Sequence, residues 1–237
     1  MASLPRILLI NDYLSHKQRT SNLFCNLSPS TLAAYNLIGS LRTVPRGKPL
    51  FRGGDAGDRV FVIGSGRVKL FYESRSGKVL NLKLAARGDV LGLSAVLSGT
   101  KYEISAVTID TTTLKVITRE QFLGFLNSNA EGGVRAAQCM AEDYRLAWHD
   151  ACRLALSGSA VSRLAGILLD WGRAASTGKT EMRFIMAMSH TELANFAGVS
   201  RETVTRTLGK LRKDKTIAIR GVNIHILLPD TLAELAA

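Results

Sequence analysis

Acidic residues are in short supply. Only 19 Asp and Glu face 31 Lys and Arg, which leaves a formal net charge of +12 over 237 residues. Such a surplus attracts polyanions and favours nucleic acid as a partner, while saying nothing about fold. It is spread along the chain and not gathered into a tail. Cysteine is scarce too: Cys25, Cys139 and Cys152 lie far apart, with no CxxC pair and no disulfide framework. Buried or idle thiols in a reducing cytoplasm are the expectation. No apolar run approaches the roughly 18 residues of a membrane span. The stretch Leu4–Ile10 is too short for a signal-peptide core and runs into Asn11-Asp12, so neither a membrane partner nor export is expected.

What is present falls into three regions of different periodicity. After a leader with a short helix, Ser30 to Ile38, begun by Ser28-Pro29, the signal from Leu41 to Thr118 has period two. Val68, Leu70 and Tyr72 alternate with Lys69, Phe71 and Glu73; Leu80, Leu82 and Leu84 alternate with Asn81 and Lys83; Ile104, Ala106 and Thr108 alternate with Ser105, Val107 and Ile109. Glycines from Gly47 to Gly92 punctuate this stretch at turn spacing. Several short strands with evenly placed turns predict a β-barrel, roll or sandwich.

Beyond Thr118 the period changes. Residues Ala130 to Leu156 lack proline, and Val134, Ala137, Ala141, Tyr144, Trp148, Ala151 and Ala155 step by three and four alternately. That is the a/d stripe of a coiled coil, so a helix pairing with a second copy of itself is expected through residues 134–155. Ser157-Gly158-Ser159 ends it. A second helix then runs roughly from Ala160 to Ala174, with Leu164, Ile167, Leu168 and Trp171 on one side, and Ser176-Thr177-Gly178-Lys179 reads as a surface turn.

The most specific signal lies between Ser189 and Lys213. Ser189 with Glu192 is a capping box opening a helix from Thr191 to Ala197. Gly198 supplies a left-handed turn, and Ser200 caps the next helix, Arg201 to Arg212. Two short helices joined by a tight glycine turn predict a helix-turn-helix. At about 100° per residue, Val204, Leu208 and Leu211 fall in a narrow arc that faces the core. Arg201, Glu202, Thr205 and Arg206 fall outside it, near the end that a recognition helix pushes into the major groove. Arginine donates a bidentate pair to guanine, and glutamate accepts from the cytosine amino group. Ser200 and Thr203 stand where a phosphate meets a helix start. Ile217-Ala218-Ile219 and Asn223-Ile224-His225-Ile226 flank Arg220-Gly221 as a hairpin, a two-stranded wing with Arg220 at its tip against phosphate.

Motif by motif, the chain resembles the Crp/Fnr family of bacterial transcription regulators. His190-Thr-Glu-Leu-Ala and Gly198-Val-Ser-Arg-Glu-Thr-Val-Thr-Arg206 resemble its helix-turn-helix. Gly47-Lys-Pro-Leu-Phe, Gly57-Asp-Arg-Val-Phe-Val-Ile, Gly66-Arg-Val-Lys-Leu and Gly88-Asp-Val-Leu-Gly92 look like its cyclic-nucleotide-type β-roll. The likeness covers about residues 22–235, and the stripe from Val134 to Ala155 falls where the family has its dimerisation helix. The resemblance implies an α+β chain: an N-terminal leader and antiparallel β-roll of double-stranded jelly-roll type over residues 1–129, a long central dimerisation helix over 130–157, and a C-terminal winged helix-turn-helix over 158–237. It implies a cytoplasmic homodimer on double-stranded DNA, reading a palindrome with half-sites one helical turn apart, and leaves RNA polymerase open as a further partner. Arg201, Glu202 and Arg206 match all three base-reading positions of the cyclic AMP receptor subgroup, whereas the Fnr subgroup lacks the first arginine. A GTGA-like half-site core follows, with both arginines on guanines and Glu202 on the opposite cytosine.

The sensor departs from the pattern. Cyclic-nucleotide binders of the family follow the Gly of the GDxxG turn with a glutamate and place an Arg-Ser pair shortly after. Here Leu93 follows Gly92, and Ile104 precedes Ser105. Burying a cyclic phosphate without a cation costs on the order of several kcal/mol, so the likeness does not extend to cyclic AMP bound in the usual way. Gly92, Leu93, Ile104 and Ser105, with Trp148 and His149 of the long helix, are left as the expected pocket for a small neutral or apolar effector. No cofactor is assigned. A regulator that needs no effector is the alternative within the class.

Other chemistries lack their residues. An iron–sulfur cluster needs four cysteines in a close N-terminal group, and only Cys25 lies there. His16, His149, His190 and His225 all fall outside the β-rich region, whereas a cupin-like enzyme needs several histidines and a carboxylate inside it. With no P-loop and no GxSxG motif either, neither a metal site nor catalytic residues are expected. A β-roll small-molecule-binding protein or cupin-like enzyme is the alternative from another class.

Overall fold

Eight short strands build the first half of the protein: β1 Ser40–Val44, β2 Pro49–Phe51, β3 Arg59–Ser65, β4 Val68–Glu73, β5 Val79–Ala85, β6 Val90–Leu91, β7 Ser105–Thr108 and β8 Thr112–Thr118. They form two antiparallel four-stranded sheets, ordered β1-β8-β3-β6 and β2-β7-β4-β5. The chain changes sheet at every connection except that between β4 and β5, as in a jelly roll. The computed structural model describes residues 27–176, 182–186 and 188–236; the leader (with His16 and Cys25) and the turn expected over 177–179 lie outside them. The described residues divide into two units, 27–147 and 148–236.

Inner faces of both sheets meet in one cluster. Phe61, Ile63, Leu91 and Leu114 come from one sheet, and Phe51, Val68, Leu70, Ala85 and Ala106 from the other. This is the burial a sandwich requires. One expected alternation fails: in β5, Asn81 is 3% exposed while Leu82 is 36% exposed. The cause is a bulge. Leu70 pairs with Lys83 and Phe71 with Asn81, so Leu82 opposes nothing and the strand changes face there.

Three helices and the start of a fourth cover the roll. They are α1 Pro29–Leu37, α2 Leu93–Ser98, α3 Arg119–Ser128 and α4 Ala130–Leu156. Helix α1 begins one residue earlier than expected, because Ser28 is the N-cap and Pro29 fits the first helical position, where no N–H is needed. Leu93, Val96, Phe122, Phe125 and Ala136 pack with Val60, Val62, Val90 and Ile117 as a second cluster on this side. Lys115 of β8 donates to the Tyr35 carbonyl at 2.7 Å and lies 4.1 Å from its ring centre, a cation at the C-terminal end of α1.

Two ionic contacts fasten α4 to this unit. Glu131, in its first turn, accepts from the Ser28 hydroxyl at 2.6 Å and from the Ser28 N–H at 3.0 Å, which holds its carboxyl below the usual range. That contribution is therefore present above the ordinary glutamate pKa and fades as pH falls through the lowered one. Lys83 Nζ lies 3.2 Å from Asp89 and 3.1 Å from Asp143 of α4. Burial alone would lower the ammonium, but the two carboxylates outweigh it and raise it. This clamp holds through neutral pH, and the stabilisation from the ammonium is lost as pH rises through the raised value.

The second unit holds the rest of α4, then α5 Ala160–Ala175, β9 Met182–Ile185, α6 His190–Ala197, α7 Arg201–Lys213, β10 Ile217–Arg220, β11 Asn223–Ile226 and α8 Pro229–Ala236. Ser159 caps α5, and its expected face of Leu164, Ile167, Leu168 and Trp171 is buried with Phe184, Leu193, Val204, Leu208, Ile224 and Leu232. The wing has three strands, ordered β10-β11-β9, where two were expected. Met182–Ile185 carries no turn signal of its own; only its register on β11, Phe184 opposite Ile224, makes it a strand. Among the described residues no helix is long and apolar enough to cross a membrane.

Candidate nucleic-acid interface

Helix α6 starts with a complete capping box. Ser189 Oγ accepts from the Glu192 N–H at 3.2 Å, and Glu192 Oε2 accepts from the Ser189 N–H at 2.9 Å. At its other end Gly198 has φ 61°, a left-handed conformation that turns the chain at once toward α7. From α5, Arg163 Nε donates to the Ala197 carbonyl at 3.0 Å and fastens that end. Ser200 then caps α7 by accepting from the Thr203 N–H at 3.1 Å.

Val204, Leu208 and Leu211 anchor α7 in the core, as their spacing predicts. Thr207 is buried beside them; it sits at the edge of the same arc, where its hydroxyl masked the signal. Outside that arc Arg201, Glu202, Thr205 and Arg206 are exposed, with Glu202 and Arg206 farthest from the buried anchors. Among the described residues, no ion pair engages Arg201, Arg206 or Arg220. The Glu202 carboxyl is held below the usual range by its own backbone N–H, then by the Ser200 hydroxyl, with Arg201 adding to it. It is therefore an ionised, acceptor-only group at neutral pH.

Neighbouring hydroxyls are largely engaged within the protein. Thr205 donates to the Arg201 carbonyl at 3.0 Å, which leaves its oxygen to accept from His190 Nδ1 at 2.8 Å. This tie from α6 to α7 has no mark in the sequence pattern. Ser200 and Thr203 hydroxyls lie 3.0 Å apart. In the wing, Arg220 pairs with Asn223 across Gly221-Val222 and is exposed at the tip.

The far end of α7 carries Lys210, Arg212 and Lys213. It closes with the Lys215 N–H on the Arg212 carbonyl and the Thr216 N–H on the Leu211 carbonyl, a Schellman pattern. Lys215 occupies the left-handed position of that pattern, with φ 54°. Glycine takes this conformation without the Cβ clash, so Lys215→Gly is expected to raise stability by about 1 kcal/mol in denaturant titration.

Of the six residues expected to line an effector pocket, four lie in the first unit and two in the second. Gly92, at φ 78°, starts α2, and a Cβ there would lie 2.8 Å from the Tyr102 ring. Leu93 is buried in the cluster under the helices. Ile104 packs at the margin of the inter-sheet cluster, and Ser105 Oγ accepts from the Gly53 N–H at 3.0 Å. Trp148 and His149 belong to the other unit and are exposed. An open surface hollow lined by Asp58, Thr100, Lys101, Glu103 and Arg119, among others, includes none of the six.

Every residue of the expected α4 stripe is exposed: Val134 57%, Tyr144 69% and Trp148 63%, with Ala137, Ala141, Ala151 and Ala155 likewise.

A helix anchored by apolar side chains on one flank and basic on the other, set beside a small antiparallel sheet, makes the second unit a winged helix-turn-helix. Residues 162–235 match the Crp-like helix-turn-helix domain, and residues 41–129 match the cyclic nucleotide-binding domain. The chain belongs to the Crp/Fnr family of transcription regulators, which bind DNA through this helix-turn-helix, are not enzymes and are typically dimeric. It is 29% identical over 216 residues to the cyclic AMP receptor protein of Thermus thermophilus, covering 91% of this chain and 97% of the relative. To the fumarate and nitrate reduction regulatory protein of Escherichia coli it is 25% identical over 215 residues, 85% of this chain and 80% of the relative. The structure of FixK2 from Bradyrhizobium japonicum shares the fold with a TM-score of 0.71 at 20% identity, covering 85% of this chain and 98% of that one.

Proposed function

We propose that this regulator acts in the cytoplasm as a homodimer joined through the α4 stripe and reads a palindrome with GTGA-like half-site cores. In this reading residues 1–129 serve as sensor, 130–157 as dimer helix and 158–237 as reader. Arg201 and Arg206 take guanines, Glu202 takes cytosine of the opposite strand, and Ser200, Thr203, Thr205 and Arg220 hold the flanking backbone and groove edge. The observation that carries the proposal is the exposure of Arg201, Glu202 and Arg206 outside the buried arc of Val204, Leu208 and Leu211, near the N-terminal end of α7. Two-fold symmetry then demands two half-sites about 10 bp apart, centre to centre. Selection from a pool of random duplexes is the test. It is expected to recover a GTGA–TCAC dyad at that spacing; recovery of an asymmetric or A·T-rich consensus refutes it.

The roll, in the same proposal, does not answer to cyclic AMP. Leu93 is committed to the apolar core, and Ile104 adds no cation that a cyclic phosphate would need. A small neutral or apolar effector is compatible with these side chains, and it acts only by preferring the DNA-competent arrangement. Saturating cyclic AMP or cyclic GMP is expected to leave the thermal midpoint unchanged. A ligand at about 100 times its Kd would stabilise by about 2.7 kcal/mol, so a midpoint rise of several degrees with either nucleotide refutes this part.

A further inference from the structure

Gly209 stands in the middle of α7 and is exposed. Glycine is the poorest helix former after proline, so its place there calls for a reason. Conformation is not the reason, because Gly209 is absent from the positions with positive φ. Internal packing is not the reason either: a Cβ built on Gly209 meets nothing within 4 Å. Gly124 of α3 is as open, but the residues one turn either side of it, Glu120, Gln121, Asn127 and Ser128, include no cation.

The surroundings of Gly209 are different. At about 100° per residue, Glu202, Arg206, Gly209 and Lys213 fall within about 60° of one another, directly opposite Val204, Leu208 and Leu211. Arg206 precedes Gly209 by three residues, Lys213 follows it by four, and Lys210 adjoins it. All three are exposed. The outermost row of α7 thus has a gap one side chain deep, floored by bare helix backbone and rimmed by three cations about 10 Å from end to end.

We infer that the Gly209 notch receives the sugar–phosphate backbone of one DNA strand, with Lys210 and Lys213 holding its phosphates while Arg201, Glu202 and Arg206 read bases farther along the helix. The inference rests on α7 being the recognition helix. A backbone contact carries no sequence information, so the notch sets how closely the helix seats, not which bases it prefers. A methyl group at position 209 fills the notch, and its effects on folding and on binding have opposite signs.

Binding of the full-length protein to the GTGA dyad and to a scrambled duplex, with parallel thermal melts, tests this on Gly209→Ala, Lys210→Ala, Lys213→Ala and Arg206→Ala. Gly209→Ala is expected to raise the midpoint by about 2–4 °C through helix propensity. It is expected to weaken binding about tenfold on both duplexes, leaving the specificity ratio intact. Each lysine variant is expected to lower the salt slope by about 1 per half-site without changing base preference. A Gly209→Ala protein that binds like the wild type, or that melts lower, overturns the inference. If wild type prefers the dyad and Arg206→Ala loses that preference while Gly209→Ala changes nothing, the recognition-helix reading stands and the notch alone fails. A wild type that shows no preference for the dyad removes the reading and the notch with it.

Discussion

Arg206→Ala is expected to weaken binding to the proposed GTGA dyad by about 1–3 kcal/mol in each half-site and to relax preference at one base pair per half-site. Both copies of the dimer carry the change, so the loss over the whole site is about twice that. The size follows from geometry. A guanidinium that spans guanine O6 and N7 makes two parallel hydrogen bonds that alanine cannot replace. Arg206 is exposed and, among the described residues, makes no ion pair. Its removal therefore leaves no buried partner stranded, and the fold is expected to melt at the wild-type temperature. Titration of single-base variants of the dyad checks the outcome. Weakening by the same factor on every sequence tested would make Arg206 a phosphate contact instead.

Ala141→Glu is expected to separate the proposed dimer while leaving each monomer folded. Ala141 lies midway along the α4 stripe and is exposed in the single chain, so glutamate meets no clash there and costs little helix propensity. In a two-fold seam the same position of both copies comes together, and the substitution buries two like charges. An uncompensated buried charge costs about 3 kcal/mol or more, enough to shift the association constant at least a hundredfold. Sedimentation velocity at micromolar concentration is expected to show dimers for the wild type and monomers for the variant. Affinity for the dyad then falls to that of an isolated half-site. A variant that stays dimeric would place the interface elsewhere.

Much of this architecture is legible in the residues themselves. Ala130 to Leu156 forms a helix over the expected range because nothing interrupts it before Ser157-Gly158-Ser159. Ser189, Glu192, Gly198 and Ser200 are local instructions, each satisfied by a bond or a dihedral close in sequence, so both helices of the reader end near where they were expected. What the sequence concealed is non-local. Leu82 looks like an inward residue until the partner strand skips it, and the period-two pattern cannot register a bulge that depends on pairing with β4. Strand β9 is four residues long and becomes a strand only through β11. The contact between His190 and Thr205 joins two helices across a turn. Lys215 in a left-handed conformation breaks the preference for glycine that would have marked the helix end.

The same distinction runs through the candidate sites. The expected recognition positions follow from one periodicity and one cap, and Arg201, Glu202 and Arg206 are exposed outside the buried arc of α7. The effector positions come from separate strands and helices. Leu93 packs in one apolar cluster and Ile104 at the edge of another, a placement that depends on how separate elements meet and that no single periodicity marks.

The ratio of two dissociation constants at moderate salt tests the central claim most directly: one for a duplex with two GTGA-like half-sites, one for the same duplex with both half-sites scrambled. Base reading by a symmetric pair of α7 helices predicts a ratio of about 10³ or more in favour of the dyad. A ratio near one, with both affinities falling equally as salt rises, would mean that the positive charge binds DNA without reading it.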